Sequence, residues 1–578
     1  MTDIRRTILW VVFSASLFLI WDSWQRHNGE PSFLSPRPAS TGAGVSPPQA
    51  VPAGKTTAVA AAPSAGASQA GAPAPGQLVK ATTDVYEATF DSTGAALVGL
   101  VLRREQEHVE RPWYASFQDI FGGAGAKPQS QDIVLFDRSA DRYYVAQTGL
   151  WPSASGPGAL PEHHSAMTPV PGERTLKDGV NELQVRFESA EVGGVKLVKT
   201  YTLRRGDYAI GVRHEVVNGS AAPISPLLYL QLVRDGNAPP GGSGFYSTFT
   251  GPAIYTDTKH YDKIDFKTIE KRDDVGKIAR ESASSGWVAM VQHYFAAAWL
   301  LDKAAAPASP WQFFTGKVDA NTYSVGMLVP IGEVAAGTTR SIDAKLFAGP
   351  QEEDKLAALA PGLELVKDYG IFKILAEPLF WLLTQLHKLF GNWGWAIVGL
   401  VVLLKIAFFW LNAKAYGSMA KMKAINPRIM EMRARLKDKP QQMQQEMMRI
   451  YKEEKVNPLG GCLPIVAQMP FFLALYWVLL STVEMRNAPW IGWIHDLSAR
   501  DPFFILPLLM TGTSLLQTWL NPTPPDPVQA KMMWMMPLIF SVMFFFFPAG
   551  LVLYWLTNNI LSIAQQYVIN KRLGVIGK

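Results

Sequence analysis

The sequence predicts a polytopic α-helical membrane protein with six spans, a large all-β domain outside the cytosol and a cytosolic helical hairpin. The C-terminal third holds several apolar stretches of about 17 to 25 residues, long enough to cross a bilayer as helices. The middle of the chain instead alternates apolar and polar residues, as strands do. A basic segment separates two of the apolar stretches, and basic loops mark the cytosolic side of a membrane.

Residues 1–27 form the first predicted span. Arg5 and Arg6 precede an apolar run from Thr7 to Ile20, and two tryptophans follow it. The small-residue site at which a secretory signal is cleaved is missing, so we expect a retained anchor with a cytosolic N-terminus. Cleavage is the alternative. Residues 28–77 are rich in Pro, Ala, Gly and Ser and cannot bury enough apolar surface to fold, which predicts a linker.

Residues 78–361 carry the pattern of strands. Leu183, Val185 and Phe187 share one face, and Arg204-Arg205-Gly206-Asp207 has the composition of a turn. The chain holds 1 cysteine, so this domain has to be stable through a buried core without an internal disulfide. We therefore expect a β-sandwich, which the anchor places outside the cytosol.

The remaining sequence is helical in its periodicity. Residues 362–392 repeat apolar side chains at steps of three and four with charged residues between them, which predicts an amphipathic helix on the membrane surface. Residues 393–578 hold five further spans. They are predicted at Trp393 to Leu411, Pro464 to Val483, Phe503 to Leu520, Met532 to Phe547 and Leu551 to Ile569.

Loop charges predict the orientation of these spans. Residues 412–463 contain eleven Lys or Arg against five acidic residues, which places this loop in the cytosol. The loop 484–502 has only two basic residues and belongs outside. The C-terminus then returns to the cytosol, where Lys571, Arg572 and Lys578 lie.

The cytosolic segment, about residues 413–460, is predicted to form two helices that meet near Pro440. Methionines recur along both, namely Met419, Met422, Met430, Met443 and Met447. They either fill the interface of the hairpin itself or offer a pliable surface to varied hydrophobic sequences. The basic residues set the orientation of the loop, and ribosomal RNA is a possible partner for them.

Lys405 is the most informative single residue, because it lies inside the second predicted span. A lysine there costs roughly 2.5 to 3.5 kcal/mol on insertion scales. Either a water-filled groove hydrates the ammonium, or its long stem reaches the cytosolic interface. Other polar residues could line such a groove or simply bond between helices; they are Gln468, Thr511, Thr513, Gln517, Thr557, Asn558, Asn559, Gln565 and Gln566. The short fifth span would favour local thinning of the bilayer.

Several longer motifs match a known family. They are Ser418-Met419-Ala420-Lys421-Met422, Glu454 to Cys462 (EKVNPLGGC), Gln468-Met469-Pro470, Trp493 to Ser498 (WIHDLS) and Gly550 to Tyr554 (GLVLY). Together they closely resemble the YidC/Oxa family of membrane insertases in its Gram-negative form. The resemblance implies a β-supersandwich for the periplasmic domain. It also implies a hydrophilic groove that is open to cytosol and lipid and closed toward the periplasm.

The resemblance also implies a set of site residues and partners. The family's basic groove residue, commonly arginine, falls on Lys405, and its substrate-contacting aromatic pair falls on Tyr554 and Trp555. The implied function is to bind hydrophobic segments of nascent proteins and to assist their insertion and folding in the bacterial inner membrane. The implied partners are nascent membrane proteins, lipid, the Sec translocon, the ribosome and the signal recognition particle receptor, with no DNA. Lys571 and Arg572 are the candidate ribosome contacts.

Catalytic signals are missing from the sequence. It has no G-x-x-x-x-G-K-[ST] loop for a nucleotide, and Glu162-His163-His164 lacks the spacing of a zinc helix. We therefore predict no enzymatic activity, no metal and no other cofactor. One alternative function is a secondary transporter with Lys405 as its ion or proton site, although no internal repeat supports it. The other is a membrane-tethered binding module built on the β domain.

Overall fold

The computed structural model describes residues 76–108, 130–153, 158–239, 248–271, 279–302, 304, 310–436, 439–454, 463–521 and 527–572. These residues fall into two compact units. The described residues up to 368 form a unit dominated by strands, and those from 369 onward form a helical unit. The predicted N-terminal span and the linker lie outside the described residues, apart from the last two residues of the linker.

The first unit consists of two nine-stranded sheets of antiparallel strands, as the sequence predicts for a sandwich. The strands are β1 Leu78–Thr82, β2 Tyr86–Asp91, β3 Ala96–His108, β4 Ser130–Arg138, β5 Tyr143–Trp151, β6 Met167–Pro169, β7 Glu182–Ser189, β8 Val195–Arg204, β9 Ala209–Asn218, β10 Leu227–Asp235, β11 Gly251–Thr256, β12 His260–Lys263, β13 Ala279–Ala283, β14 Gly286–Val291, β15 Phe295–Leu300, β16 Trp311–Asp319, β17 Thr322–Pro330 and β18 Thr339–Pro350. One sheet has the order β1-β2-β3-β4-β5-β10-β17-β16-β13, and the other has the order β12-β11-β14-β15-β18-β9-β8-β7-β6.

The burial of each strand follows its sequence pattern. In β7 the alternating residues Leu183, Val185 and Phe187 are buried, as the period of two predicts. Strands β10 and β15, in contrast, are buried along almost their whole length, since they lie inside their sheets and are covered on both faces. The predicted turn joins β8 to β9, and Gly206 adopts the left-handed conformation there with φ 70°. Two short helices, α1 Phe266–Glu270 and α2 Glu353–Leu359, complete this unit.

A lysine is fully buried in the core of the β unit. The Lys199 ammonium donates hydrogen bonds to the carbonyl oxygens of Gly94, at 2.6 Å, and Thr148, at 2.7 Å. His214 lies directly opposite Lys199 in the neighbouring strand, and its Nε2 is 3.0 Å from the Thr148 hydroxyl. Burial lowers the pKa of Lys199 from 10.5 to about 7. The same burial, with Lys199 nearby, lowers the pKa of His214 from 6.5 to about 3.

A second buried imidazole belongs to His163. Its Nδ1 lies 2.6 Å from the Tyr229 hydroxyl, which also accepts a hydrogen bond of 2.7 Å from the His163 backbone N–H. Burial, together with the positive charges of His164 and Lys199, lowers the pKa of His163 to about 3. The core of this unit therefore favours neutral imidazoles, because a charge there would lose its hydration.

We expect Gly94→Ala to destabilise the β unit far more than Gly179→Ala. Both glycines are left-handed, with φ 65° and 81°. A methyl group at 94 would collide with the backbone of His163, whereas nothing lies within 4 Å at 179. Left-handed strain alone costs roughly 1–2 kcal/mol, and overpacking adds roughly 1–3 kcal/mol at position 94. Thermal unfolding of the two variants measures the difference, and equal losses would contradict this steric account.

The second unit contains eight α-helices among the described residues. They are α3 Lys373–Phe390, α4 Trp393–Ala407, α5 Phe409–Arg435, α6 Pro440–Glu453, α7 Leu463–Ser481, α8 Ile505–Leu520, α9 Pro527–Phe544 and α10 Ala549–Arg572. Most of its core comes from α3, α4, α7 and α10, with further buried residues from α8 and α9, and small buried residues such as Ala376, Ala396 and Ala474 let the helices approach closely. Numerous apolar side chains on α8 and α9, including Leu508, Trp519, Ile539 and Val542, remain exposed on the outside.

The predicted surface helix is shorter in the structure than its predicted range, 362–392. Residues Leu363–Val366 form a separate 3₁₀ turn, and α3 begins only at Lys373. Gly370, with φ 60°, is left-handed and interrupts the helical path, which periodicity alone did not reveal. Gly391, with φ 66°, ends α3 by donating its N–H to the His387 carbonyl oxygen.

The helices differ from the predicted spans in length and composition. Among the described residues, no single helix combines the length with the apolar character that spanning a membrane requires. The pair α4 and α5, which meet at a bend of 67°, passes that criterion jointly. Helix α10 is long enough, with 24 residues, but its Asn and Gln residues make its mean hydropathy too low. The count of six spans stays a prediction.

Candidate functional site

Lys405 lies in the last turn of α4 and is bonded to α10. Its ammonium donates a hydrogen bond of 2.7 Å to the hydroxyl of Ser562, a residue that is 3 % exposed. The Ser562 hydroxyl in turn donates to the carbonyl oxygen of Asn558 at 2.7 Å. The lysine side chain is half-buried within the helical unit. Its contact is therefore with a neutral dipole rather than with an anion.

The helices in the predicted spans offer no carboxylate to neutralise this ammonium. Residues 393–411, 463–483, 503–520 and 527–572 contain neither Asp nor Glu. An unpaired cation in an apolar bundle favours any passing group that carries a negative charge or an exposed carbonyl oxygen. Lys405 at this end of α4 is therefore a cation without an acidic partner in these ranges.

Amides continue the polar layer beside Lys405. The Gln468 amide on α7 donates 2.7 Å to the Asn412 oxygen, and the Asn412 amide donates 3.3 Å to the Gln565 oxygen on α10. Asn412 follows the bend between α4 and α5 and is 4 % exposed. Three helices are thus joined by side-chain amides.

A second set of polar contacts joins α8 to α10. Asn559 donates to the hydroxyl of Ser514 at 2.8 Å, and Gln566 donates to the Asn521 oxygen at 3.1 Å. Asn559 is buried, which fits a residue that holds two helices together. Gln517 lies on α8 with a half-buried side chain. These contacts support the simpler interpretation for Asn559, namely bonding between helices.

The predicted aromatic pair packs against α7. Trp555 lies 4.5 Å from Phe472 between ring centroids, and Tyr554 stacks on the same ring at 5.9 Å. Tyr554 is buried and Trp555 is half-buried. Position 555, rather than 554, therefore offers the larger accessible aromatic surface.

A loop is bonded to the first residues of α10 at one end of the bundle. The backbone N–H of Gly550 donates to Leu497 at 2.9 Å, and that of Ala549 donates to Ala499 at 2.7 Å, at the start of α10. The buried Asp501 accepts hydrogen bonds from the Trp493 indole, at 3.0 Å, and from the Leu506 backbone, at 2.7 Å. The segment 493–501 is thereby fixed against α8 and α10.

The structure brings some predicted site residues together and leaves others apart. Lys405 and Asn558 meet at Ser562, and Gln468 reaches α10 through Asn412. The predicted site omitted Asn412 and Ser562. A helical period would have placed Ser562 one turn after Asn558, on the same face. The predicted tail contacts, Lys571 and Arg572, are exposed in the last turn of α10.

Helices α5 and α6 pack against each other through a small apolar cluster. Ile425, Ile429, Met432 and Ile450 form its buried part. Three of the predicted methionines pack around it, namely Met422, Met443 and Met447. Met430 is 57 % exposed, and Met419 is half-buried. The methionines are thus divided between the helix interface and the surface.

We expect Ile429→Ala to loosen this helix pair and Met430→Ala to leave it unchanged. Ile429 is fully buried and Met430 is exposed, although the two are adjacent. Truncating a buried isoleucine costs roughly 2–5 kcal/mol, and this cluster is small. Limited proteolysis of the membrane-embedded protein should show faster cleavage within α5 and α6 only for Ile429→Ala. Equal protection of both variants would show that other contacts hold the pair.

Comparison with known proteins identifies the family. Residues 385–575 match the family model "60Kd inner membrane protein", and residues 124–382 match "YidC periplasmic domain". A Ralstonia nicotianae protein called membrane protein insertase YidC is 52% identical over 99% of this chain and 98% of its own length. The chain belongs to the YidC family of membrane protein insertases. A Cupriavidus necator YidC is likewise 52% identical over the same shares of both chains.

Solved structures include a YidC insertase with its first transmembrane domain resolved. It covers 85% of this chain and 94% of its own, with 18% identity and a TM-score of 0.37. A galactose mutarotase-like protein from Lactobacillus casei covers 47% of this chain and all of its own, with 11% identity and a TM-score of 0.30. Membership of the YidC family confirms the resemblance seen in the motifs. These relatives are named as insertases and not as catalytic enzymes.

Proposed function

We propose that this YidC protein binds the hydrophobic segment of a nascent protein along α7 and α10 while the polar flank of that segment rests near Lys405. The observation that carries the proposal is the bond between Lys405 and Ser562, because helices α4, α7, α8, α9 and α10 contain no Asp or Glu that could pair with the ammonium. A neutral hydroxyl is a weak partner for an ammonium, so a carbonyl or carboxylate oxygen of the client can replace it. Exchange of one hydrogen-bond partner for another keeps the lysine satisfied throughout.

The driving force for this reaction comes from the client. Transferring about twenty apolar residues into lipid is favourable, and each acidic residue moved outward gains roughly 2.3 kcal/mol per 100 mV of membrane potential. The groove residues, in our proposal, are Lys405, Gln468, Gln517, Tyr554, Trp555 and Asn558, while Asn559 holds α10 against α8. Trp555 packs against Phe472 of α7 and is half-buried, so it can contact a client at the edge of the groove.

The proposed topology has six spans with both termini in the cytosol and the β unit in the periplasm. The charge difference between loops 412–463 and 484–502 supports this orientation. Helix α9 has 18 residues, which is roughly 27 Å of helix and falls short of a hydrocarbon core of about 30 Å. A short span thins the adjacent bilayer and so lowers the barrier for a polar flank.

The proposed partners are the Sec translocon, the ribosome and the signal recognition particle receptor. The α5 and α6 pair supports a cytosolic docking surface, since Met430 and Met448 are exposed and can adapt to varied sequences. The basic residues of the pair and the exposed Lys571 and Arg572 favour contacts with ribosomal RNA.

Crosslinking of a stalled nascent chain tests the proposed path. In a Cys462→Ser background the chain has no other cysteine, so single cysteines report unambiguously. Met469→Cys on α7 and Ile560→Cys on α10 replace residues that are each 49% exposed, and Leu508→Cys on α8, at 58%, is the matched control. We expect the client to crosslink at 469 and 560 and not at 508. Equal crosslinking at all three would refute a defined path.

A further inference from the structure

Asn412 occupies a distinctive place in the helical unit. It lies in the first turn of α5, just past the bend at Phe408, and its own chain continues into the pair formed with α6. Its side chain is almost fully buried, at 4 % exposure. A buried amide in an apolar bundle is costly unless both its oxygen and its nitrogen are bonded.

Both ends of this amide are bonded, and to different helices. The oxygen of Asn412 accepts from Gln468 on α7 at 2.7 Å, and its nitrogen donates to Gln565 on α10 at 3.3 Å. The two hydrogen bonds therefore run in one direction: Gln468 on α7 donates to Asn412 on α5, and Asn412 donates to Gln565 on α10. Asn412 therefore fixes which end of the Gln565 amide faces it, namely the oxygen.

The consequence appears at the other end of Gln565. Its Nε2 is buried and, among the described residues, has no hydrogen-bond partner. An unsatisfied buried donor gains free energy from any oxygen that reaches it. Gln565 lies three residues after Ser562 on α10, so the two side chains are neighbours on one face of the helix. The unsatisfied Gln565 nitrogen therefore lies on the same face as Ser562, which accepts the hydrogen bond from Lys405.

We propose that Asn412 is a positioning residue of the insertase site, which holds Gln565 with its amide nitrogen free to receive a backbone carbonyl or carboxylate oxygen of the client's polar flank. The inference rests on the proposed function, since it adds a second group, beside Lys405, that can donate a hydrogen bond to a client oxygen. Asn412 acts through Gln565 and Gln468 and touches no client atom itself.

The test uses Asn412→Leu, which has a similar volume and can make neither hydrogen bond. The full chain is reconstituted in vesicles with two clients that share one hydrophobic segment. One client carries a polar flank with two acidic residues, and the other carries a short apolar flank. We expect insertion of the first client to fall roughly fivefold, the order expected for two side-chain hydrogen bonds in a membrane, and insertion of the second to stay unchanged.

Thr518→Val is the matched control. Thr518 is also buried, but within the described part of the chain its hydroxyl bonds only to the Ser514 carbonyl oxygen of its own helix, at 2.9 Å. We expect it to insert both clients normally. A second variant, Asn412→Gln, keeps the amide and should recover part of the loss.

The outcomes separate this inference from the proposed function. Equal loss of both clients in Asn412→Leu would show a structural tie only and would overturn the positioning role. Undiminished insertion of both clients would overturn it as well. If Lys405→Ala, assayed in parallel, inserts the acidic client normally, the proposed function itself fails. A loss at Lys405 without one at Asn412 refutes the positioning role alone.

Discussion

Lys405→Ala should reduce insertion of clients with acidic or strongly polar flanks by roughly tenfold or more, with wild-type amounts of protein in the membrane. The Lys405 ammonium is half-buried in the helical unit, and a hydrogen bond to a charged group is worth roughly 1.5–3 kcal/mol. Removing it leaves Ser562 to offer a neutral hydroxyl in its place. Insertion into proteoliposomes, scored by protection from added protease, measures the effect.

Lys405→Arg is the control for charge. Arginine keeps the cation and adds a planar fork that can bind a carboxylate through two hydrogen bonds. We expect this variant to insert acidic clients at least as well as the native lysine. If Lys405→Ala inserts every client normally, the ammonium is only a satisfied structural lysine and the groove has to be sought elsewhere.

Acidification should destabilise the β unit steeply between pH 6.5 and 4.5. His163 and His214 have their pKa values lowered from 6.5 to about 3 in the folded state by burial. Below pH 6.5 the two imidazoles bind protons in the unfolded chain but stay neutral in the folded chain. The free energy of unfolding therefore decreases as the pH falls toward 3. Each imidazole contributes roughly 1.4 kcal/mol per pH unit, so the two together remove about 5 kcal/mol over this range.

The double variant His163→Asn and His214→Gln should flatten this pH dependence. Asparagine places a polar atom near the position of Nδ1, which contacts Tyr229, and glutamine places one near Nε2, which contacts Thr148. Thermal unfolding of the full chain, followed by the circular dichroism of its strands across this pH range, gives the slopes. A variant as acid-sensitive as the native chain would assign the titration to other groups.

Local periodicity was sufficient to predict that a β-sandwich unit is followed by a helical unit. The alternation of Leu183, Val185 and Phe187 predicted a half-buried strand, and the turn at 204–207 lies where its composition placed it. Strand order could not be predicted, because it depends on pairings distant in sequence, such as β5 with β10. The surface helix was predicted too long, since periodicity does not register a single left-handed glycine such as Gly370.

The site was less predictable than the fold. Lys405 stood out because a charge within an apolar stretch is unusual, and Gln468 did so for a similar reason. Asn412 and Ser562 carry no comparable signal in the sequence. The first lies at a predicted helix end, and the second is a common residue in membrane helices. Their roles follow from contacts across more than 50 residues of sequence, which neither periodicity nor composition reports.

The loop 493–501 is hydrogen-bonded to the first residues of α10, and its position affects which client proteins can be inserted. If this loop closes the bundle on its periplasmic side, no aqueous channel crosses the membrane through the protein. The hydrophilic end of a client then has to cross through the perturbed lipid beside the protein. Such a route suits short tails and becomes prohibitive for long charged stretches or folded domains. We therefore expect the insertase, acting alone, to serve small proteins with little mass to export, and to depend on a true channel for larger ones.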